Sequence, residues 1–476
     1  MTEKNTYVDT TILEAEANDA EQATGNGRSH FSGRLGYVLA TAGSAVGLGN
    51  IWRFPYLAAK YGGGIFVLTY LILAFTFGYT MMVSEEALGR HTNRSPVGAF
   101  AQFGKSFKYR FGGWINAIIP ILIVPYYSVI GGWVTKYLFD YIQGDVQETA
   151  GDEYFNSFIS NSESAELWFI VFCAMVIITI LGGVERGIER VSKFMMPILV
   201  VLAVIVAGYS VTRPGAMEGV KYLLIPKFSD FSIMTIVAAM GQMFYSLSIA
   251  MGILYTFGSY MKKDVNIEKA TWQVGIFDSG IAVLAGLMII PAVFSFYGGK
   301  PDVLNAGPSL MFITLPKVFA SMGMGRIAGL LFFLLVLFAA VTSSISLAET
   351  ATSTFQDELG WTRRRSALVL FLIMIGLGSL SSLGFSSLSN IQILGMSILD
   401  FFDFLTNSVM MPIAALTTCI FITKVTGIDI IKSEIKLSSR FRMERMYTVC
   451  IKFIAPVFLI VILLSSIANV FGIITI

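Results

Sequence analysis

Histidine, cysteine and charge are all scarce in this chain. Only two histidines, His30 and His91, occur in 476 residues, and both lie outside the apolar segments. Histidine-based catalysis and transition-metal ligation have little to draw on. Cys173, Cys419 and Cys450 sit singly in apolar surroundings without paired spacing, the pattern of buried thiols and not of disulfides or a metal site. Charged residues make up 13% of the chain and the formal net charge is +2, so nothing draws it to nucleic acid. There is no phosphate loop of the GxxxxGK type and no nucleophile–base set, which argues against an enzyme.

What fills the chain is apolar. Hydrophobic residues are 55% of it, 38 of them phenylalanine, and the mean hydropathy is +0.71. That composition belongs to a polytopic membrane protein. Windows of about twenty apolar residues predict eleven spans: 34–60, 63–89, 111–141, 167–183, 191–211, 232–260, 267–297, 327–356, 365–384, 393–423 and 447–474. Short alternating strands of the β-barrel kind are missing, so the expected class is an all-α helical bundle. Residues 1–30 are polar and acid-rich, without the basic start or apolar core of a signal peptide. They are expected to form a cytosolic tail ahead of one domain, 31–476.

Basic residues orient the bundle. With the tail inside, the inner loops carry Arg90 to Arg110, Arg186 to Lys193, Lys262 to Lys269, Arg363 to Arg365 and Lys424 to Arg445, twenty lysines and arginines in all. The outer loops hold six, namely Arg213, Lys221, Lys227, Lys300, Lys317 and Arg326, and the charges of loop 142–166 are all acidic. The asymmetry obeys the positive-inside rule at every turn and places the C-terminus outside the cell membrane.

The informative residues break the apolar rule. In the first span, "AGSAVGLGNIWRFPY" (42–56) packs Gly43, Gly47, Gly49, Asn50, Arg53 and Pro55 where a lipid-facing helix should run. Carbonyls freed there must be satisfied by protein, water or an ion. The sixth span repeats the pattern in "GQMFYSLSIAMGILYTFGSY" (241–260). The two stand five spans apart, an odd number, so the halves 31–211 and 232–423 would have opposite topology, with 447–474 as an eleventh span. Broken helices at matching positions of inverted halves point to a midplane transport site. Close packing through small residues explains the glycines and serines but not Asn50 and Arg53. Thr342 and Ser343 in "FAAVTSSISLAET" (338–350) add hydroxyls, which can also bond back to carbonyls one turn earlier. Asp278 is a lone mid-span carboxylate, the only basic residue of its span, Lys269, lying at the inner end more than two turns away. Such a group is a functional-site residue by default, with a metal ion or a proton as its partner. Sodium suits an all-oxygen donor set; a proton-coupled carrier is the competing reading.

The string "RLGYVLATAGSAVGLGNIWRFPYLAAKYGGG" (34–64) resembles the first-span signature of the neurotransmitter:sodium symporters, in particular the bacterial amino-acid transporters of the LeuT type. "GQMFYSLSIAMG", "AAVTSSIS", "FQDELG" and "ILDFFDF" follow in family order, so the resemblance covers nearly the whole chain. It implies the LeuT fold, with spans 1–5 and 6–10 as inverted repeats and spans 1 and 6 unwound at mid-membrane. It also implies sodium-coupled symport of an L-amino acid. One sodium site would use Ala45, Asn50, Ser246 and Asp278 with the substrate carboxylate, and a second Gly43, Val46, Ala339, Thr342 and Ser343. The substrate would lie against Ala45, Gly47, Leu48, Gly49, Ile123, Tyr127, Tyr245, Ser246, Ser248, Met251, Ser343 and Leu347. Its carboxylate would meet N–H groups of 47–49, where a half-helix N-terminus favours an anion. Arg53 with Asp403 would form the outer gate and Arg28 with Asp357 the inner one, while Glu85 would support the broken helices from behind.

The departures from the family pattern carry their own expectations. Animal members have Asn where this chain has Asp278 and need chloride nearby, so a fixed negative charge implies chloride-independent transport. Met251 replaces the Phe of the leucine-transporting relative. A compliant side chain there implies room for tyrosine, tryptophan, phenylalanine or leucine. Phe31 replaces a Trp at the inner face, and the absence of a twelfth span leaves the oligomeric state open.

Overall fold

The computed structural model describes residues 29–104, 106–298 and 308–470. Among them, nine helices are long and apolar enough to cross a membrane: Gly64–Thr92, Phe107–Gln143, Ser162–Leu181, Val184–Val211, Ile267–Tyr297, Gly325–Leu359, Arg363–Leu383, Ile398–Thr426 and Glu444–Ala468. The first and sixth expected spans fall short of that length because each is broken. The first runs as Arg34–Ala45 and, after a π-helical turn at Gly49–Arg53, Phe54–Lys60. The sixth runs as Ile233–Ser246 and Ile253–Ser259. No β-strand occurs among the described residues.

Helix packing repeats when the two halves are exchanged. The first span packs on the seventh as the sixth packs on the second; the third packs on the fourth as the eighth on the ninth; the fifth packs on the eighth as the tenth on the third. An odd number of spans per half makes this symmetry inverted. The third and eighth spans, the most buried, pack against each other, and Tyr127 of the third and Ser343 of the eighth reach the first break. The fourth, fifth, ninth and eleventh are the least covered by protein, as expected for lipid-facing helices whose backbone polar groups are satisfied internally.

The tenth span starts later than expected. Residues 393–396 close a tight turn in which Ile393 and Met396 exchange N–H···O bonds of 3.0 Å, with Leu394 at φ 54° and Gly395 at φ 75°, and the helix begins only at Ile398. The eighth runs three residues further, to Leu359, because Gln356, Asp357 and Glu358 continue the helix into polar surroundings.

Candidate functional site

The two breaks face each other. Ser44 Oγ lies 3.0 Å from Ser248 Oγ, tying one break to the other. In the first, Gly47 N–H donates to Asn50 Oδ1 at 3.0 Å and Leu48 N–H to the Tyr127 hydroxyl at 3.0 Å. A Cβ on Gly49 would stand 2.6 Å from the Tyr245 ring, and one on Gly47 2.9 Å from the Tyr127 hydroxyl; only glycine fits this approach. In the second break, Ser248 and Ala250 adopt φ 54° and 59°, a left-handed conformation costly for residues with a Cβ. Ala250 holds it because its N–H donates to Glu85 Oε1 at 2.9 Å. The Glu85 carboxylate is fully buried, and it stands behind the sixth span.

Between the breaks lies a cavity of about 30 Å³, room for a single water. Every residue expected to touch the substrate lines it, from Ala45, Gly47, Leu48 and Gly49 through Ile123, Tyr127, Tyr245, Ser246, Ser248 and Met251 to Ser343 and Leu347. Ser44, Asn50 and Ile253 join them. Its walls combine the apolar side chains of Ile123, Met251, Ile253 and Leu347 with hydroxyls and the broken backbones. The N–H groups of Gly47 and Leu48 are engaged by Asn50 and Tyr127, so an incoming carboxylate would exchange partners with both.

Asp278 is completely buried. Its Oδ1 accepts from Asn50 Nδ2 at 2.8 Å and from Ser246 Oγ at 2.7 Å, and its Oδ2 from the Tyr70 hydroxyl at 2.6 Å. All its partners are neutral. A carboxylate so far from water needs a positive partner or a proton, and the surrounding oxygens of Asn50 and Ser246 are hard donors suited to sodium.

A second cluster of oxygens gathers around Ser343. Ser343 Oγ lies 3.2 Å from the Gly43 carbonyl, 3.1 Å from that of Ser44 and 3.3 Å from that of Val46. One hydroxyl proton serves three carbonyls, so the cluster retains unspent acceptor capacity of the kind a small cation takes up. Thr342 Oγ1 bonds back to Phe338 and Ala339 at 2.9 and 3.2 Å. Ala45 belongs to the cavity wall next to Ser246.

At the expected outer gate the two charges do not meet directly. Among the described residues no ion pair joins Arg53 to Asp403. The Arg53 guanidinium lies 5.5 Å from the centroid of the Tyr245 ring, while Asp403 accepts from Tyr126 at 3.2 Å and from Asn407 at 2.6 Å. Arg28 lies outside the described residues; Asp357 accepts from Ser95 N–H at 2.7 Å. Phe31 is buried in edge contacts with Tyr37, Phe257 and Tyr260, and its N–H donates to the Tyr260 carbonyl at 3.1 Å.

Three contributors escaped sequence reasoning. Tyr70 is one, signalled only by a polar tip in the apolar run "FVLTYLIL". Gln242, whose Nε2 donates to the Gly49 carbonyl at 3.1 Å, is another. The third is buried Glu349, which accepts from Tyr260 at 2.7 Å and from Arg363. It joins the sixth, eighth and ninth spans beneath the site.

Broken helices crossing at mid-depth around an oxygen-lined, carboxylate-bearing cavity define a membrane carrier with a midplane site. The sequence profile of the Sodium:neurotransmitter symporter family matches residues 28–166 and 156–473. The chain belongs to that family. An uncharacterised sodium-dependent transporter of Bacillus subtilis is 34% identical over 92% of this chain and 97% of its own length. One of Haemophilus influenzae is 32% identical over 92% and 98%. The crystal structure of MhsT in complex with L-phenylalanine superposes with a TM-score of 0.83 at 36% identity, covering 92% of this chain and all of that one. The fold is therefore the LeuT fold, and the protein is a multi-pass, sodium-dependent symporter and not an enzyme.

Proposed function

We propose that this symporter couples sodium to uptake of hydrophobic and aromatic L-amino acids without requiring chloride. The observation that carries the reading is Asp278, a fully buried carboxylate with neutral partners only, set beside the two helix breaks. One sodium ion would sit among Ala45, Asn50, Ser246 and Asp278, and share the substrate carboxylate. A second would occupy the oxygens of Gly43, Val46, Ala339, Thr342 and Ser343. An ion and a substrate that share a ligand raise each other's affinity, which is the coupling. The permanent charge of Asp278 takes the place of a bound anion. Ile123, Tyr245, Met251 and Leu347 offer the side chain an apolar chamber, and the L-phenylalanine held by MhsT supports a substrate of that class.

The small cavity suits an occluded stage, with Arg53 and Asp403 closing the outer path in another stage and Arg28 with Asp357 the inner one. The N-terminus would be cytoplasmic and the C-terminus extracytoplasmic, on the distribution of basic loops. Domain 31–476 would act as one unit built from 31–211, 232–423 and 447–474.

Purified protein in liposomes tests the reading. Uptake of labelled phenylalanine, tyrosine, tryptophan or leucine is expected under an imposed inward sodium gradient, unchanged when gluconate replaces chloride. Uptake driven by a pH gradient without sodium would overturn the coupling. Collapse in gluconate would overturn the role of Asp278.

A further inference from the structure

The segment joining the tenth and eleventh spans holds a groove of about 1370 Å³ that transport does not use. Its lining includes Lys432, Lys436, Ser439, Arg440, Arg442 and Arg445, with Glu444 the sole acid among its lining residues. Glu444 is already engaged, at 2.8 Å by Lys436 and 3.4 Å by Lys432. Arg440, Arg442 and Arg445 are exposed, and none of their guanidinium groups meets a carboxylate among the described residues. Ser439 Oγ, buried in the same groove, has no hydrogen-bond partner there. Three fork-shaped donors and a hydroxyl are the equipment of a phosphate site.

The groove is rigidly mounted. Buried Glu268, in the first turn of the seventh span, accepts the N–H groups of Arg442 and Met443 at 3.1–3.2 Å. Phe441 packs against Tyr447 with ring centroids 5.5 Å apart. On the other side Arg90 Nε donates to Glu434 at 2.8 Å. The arginines are thus presented from a fixed loop, and less ordering remains to be done on binding.

Its surroundings identify the occupant. Below Arg445 the eleventh span exposes Val449, Phe453 and Val457, each four residues on from the last. Side chains at that spacing succeed one another along one side of a helix. A cationic head thus stands at the top of an apolar track on a helix facing lipid. A soluble polyanion has no use for the track; an amphiphile uses both. We infer that this groove binds the phosphate headgroup of an anionic glycerophospholipid through Arg440, Arg442, Arg445 and Ser439, with the acyl chains lying on Val449, Phe453 and Val457.

Native mass spectrometry of the full-length protein, purified in mild detergent with added phosphatidylglycerol or phosphatidylcholine, tests the assignment. The wild type is expected to retain phosphatidylglycerol in preference to phosphatidylcholine. The triple variant R440Q/R442Q/R445Q is expected to lose that preference, each arginine being worth about fivefold. Inorganic phosphate should neither be retained nor displace the lipid at millimolar concentration. Phosphate that binds alone with the same arginine dependence would assign the groove to a free anion and overturn the lipid. Equal retention by wild type and triple variant would overturn the site. Phe453→Asp keeps the arginines and breaks the track; it should weaken retention of phosphatidylglycerol. Should the triple variant fail to fold, Ser439→Ala and Phe453→Asp carry the same decision, retention unchanged in both overturning the proposal.

Discussion

Asn50 Nδ2 donates to the Asp278 carboxylate across 2.8 Å, joining the first helix break to the middle of the seventh span. The pair lies in the protein interior, both residues fully buried. Asn50 at the same time holds the Gly47 N–H, so one amide links the anion to the broken backbone. Asp278→Asn removes the charge and keeps the shape. Losing a charge-assisted contact to the ion of about 2–3 kcal/mol lowers sodium-driven uptake roughly 30- to 150-fold in chloride-free medium. If the carboxylate stands in for an anion, chloride restores part of the loss. Uptake by Asp278→Asn measured in gluconate and in chloride checks this; equal loss in both would remove the anion-substitute argument.

Tyr70 supplies the other anchor of the same carboxylate, at 2.6 Å. Tyr70→Phe leaves the ring, packed edge-on against Phe54 at 5.0 Å, and deletes only the hydroxyl. Asp278 Oδ2 then loses its donor and the carboxylate its fixed orientation. The half-saturating sodium concentration for substrate binding is expected to rise about tenfold, equivalent to roughly 1.4 kcal/mol. Substrate affinity at saturating sodium should change little. A fall confined to substrate affinity would show that Tyr70 acts on the substrate and not through the ion site.

The polar rule-breakers were the legible part of this site. Asn50, Arg53 and Asp278 sit in apolar segments where lipid would expel them, so position alone marked them. Tyr70 and Gln242 did not stand out, because an amphipathic side chain in a membrane helix is common and its partner comes from another span. The second break was legible only through Gly252 and its serines; the left-handed turn at Ala250 is imposed by Glu85 from the second span, a tertiary cause absent from the local sequence. The late start of the tenth span has the same origin, a turn at Leu394–Gly395 inside an apolar run. Arg53 and Asp403 were each conspicuous in the sequence, yet Arg53 rests over Tyr245 and Asp403 on Tyr126 and Asn407. Composition names the charged residues, and the neighbours that other spans bring to them decide which of them touch.

Ser343 shares one proton among the carbonyls of Gly43, Ser44 and Val46. In Ser343→Ala those oxygens lose the donor and any ion at the cluster loses a ligand. The protein's thermal stabilisation by sodium, measured without substrate, should shrink, with the midpoint in sodium moving up about tenfold. An unchanged midpoint would remove Ser343 from the ion site.

Glu434 ties the helix Ile428–Lys436 to the end of the second span, accepting from Arg90 and Lys263 at 2.8 Å with His91 Nδ1 at 3.2 Å. Burial pushes its carboxyl up, but Lys263 and Arg90 outweigh that and hold it below the usual carboxylate range. A lowered carboxyl stabilises the fold fully above the unfolded value and loses that contribution as pH falls through the folded one. The tie therefore survives mild acid and gives way only below the ordinary carboxylate range. Glu434→Gln leaves Arg90 buried without its counter-charge, a loss of about 3–5 kcal/mol. Thermal unfolding in detergent across acidic pH should show a wild-type decline that the variant lacks.

Met251 closes the chamber beside Ile123 and Leu347 and is almost wholly buried. Met251→Phe puts a rigid ring where a flexible thioether could move aside. A large aromatic substrate then competes with that ring for the same volume, at a cost of about 1–3 kcal/mol. Tryptophan and tyrosine should compete roughly 5- to 150-fold less well, while leucine, smaller and deformable, loses little. The ranking is read from competition against labelled substrate in the same liposomes for both proteins. A uniform loss across all four amino acids would mean that the ring damages the site as a whole, and Met251 would not set the size of the chamber.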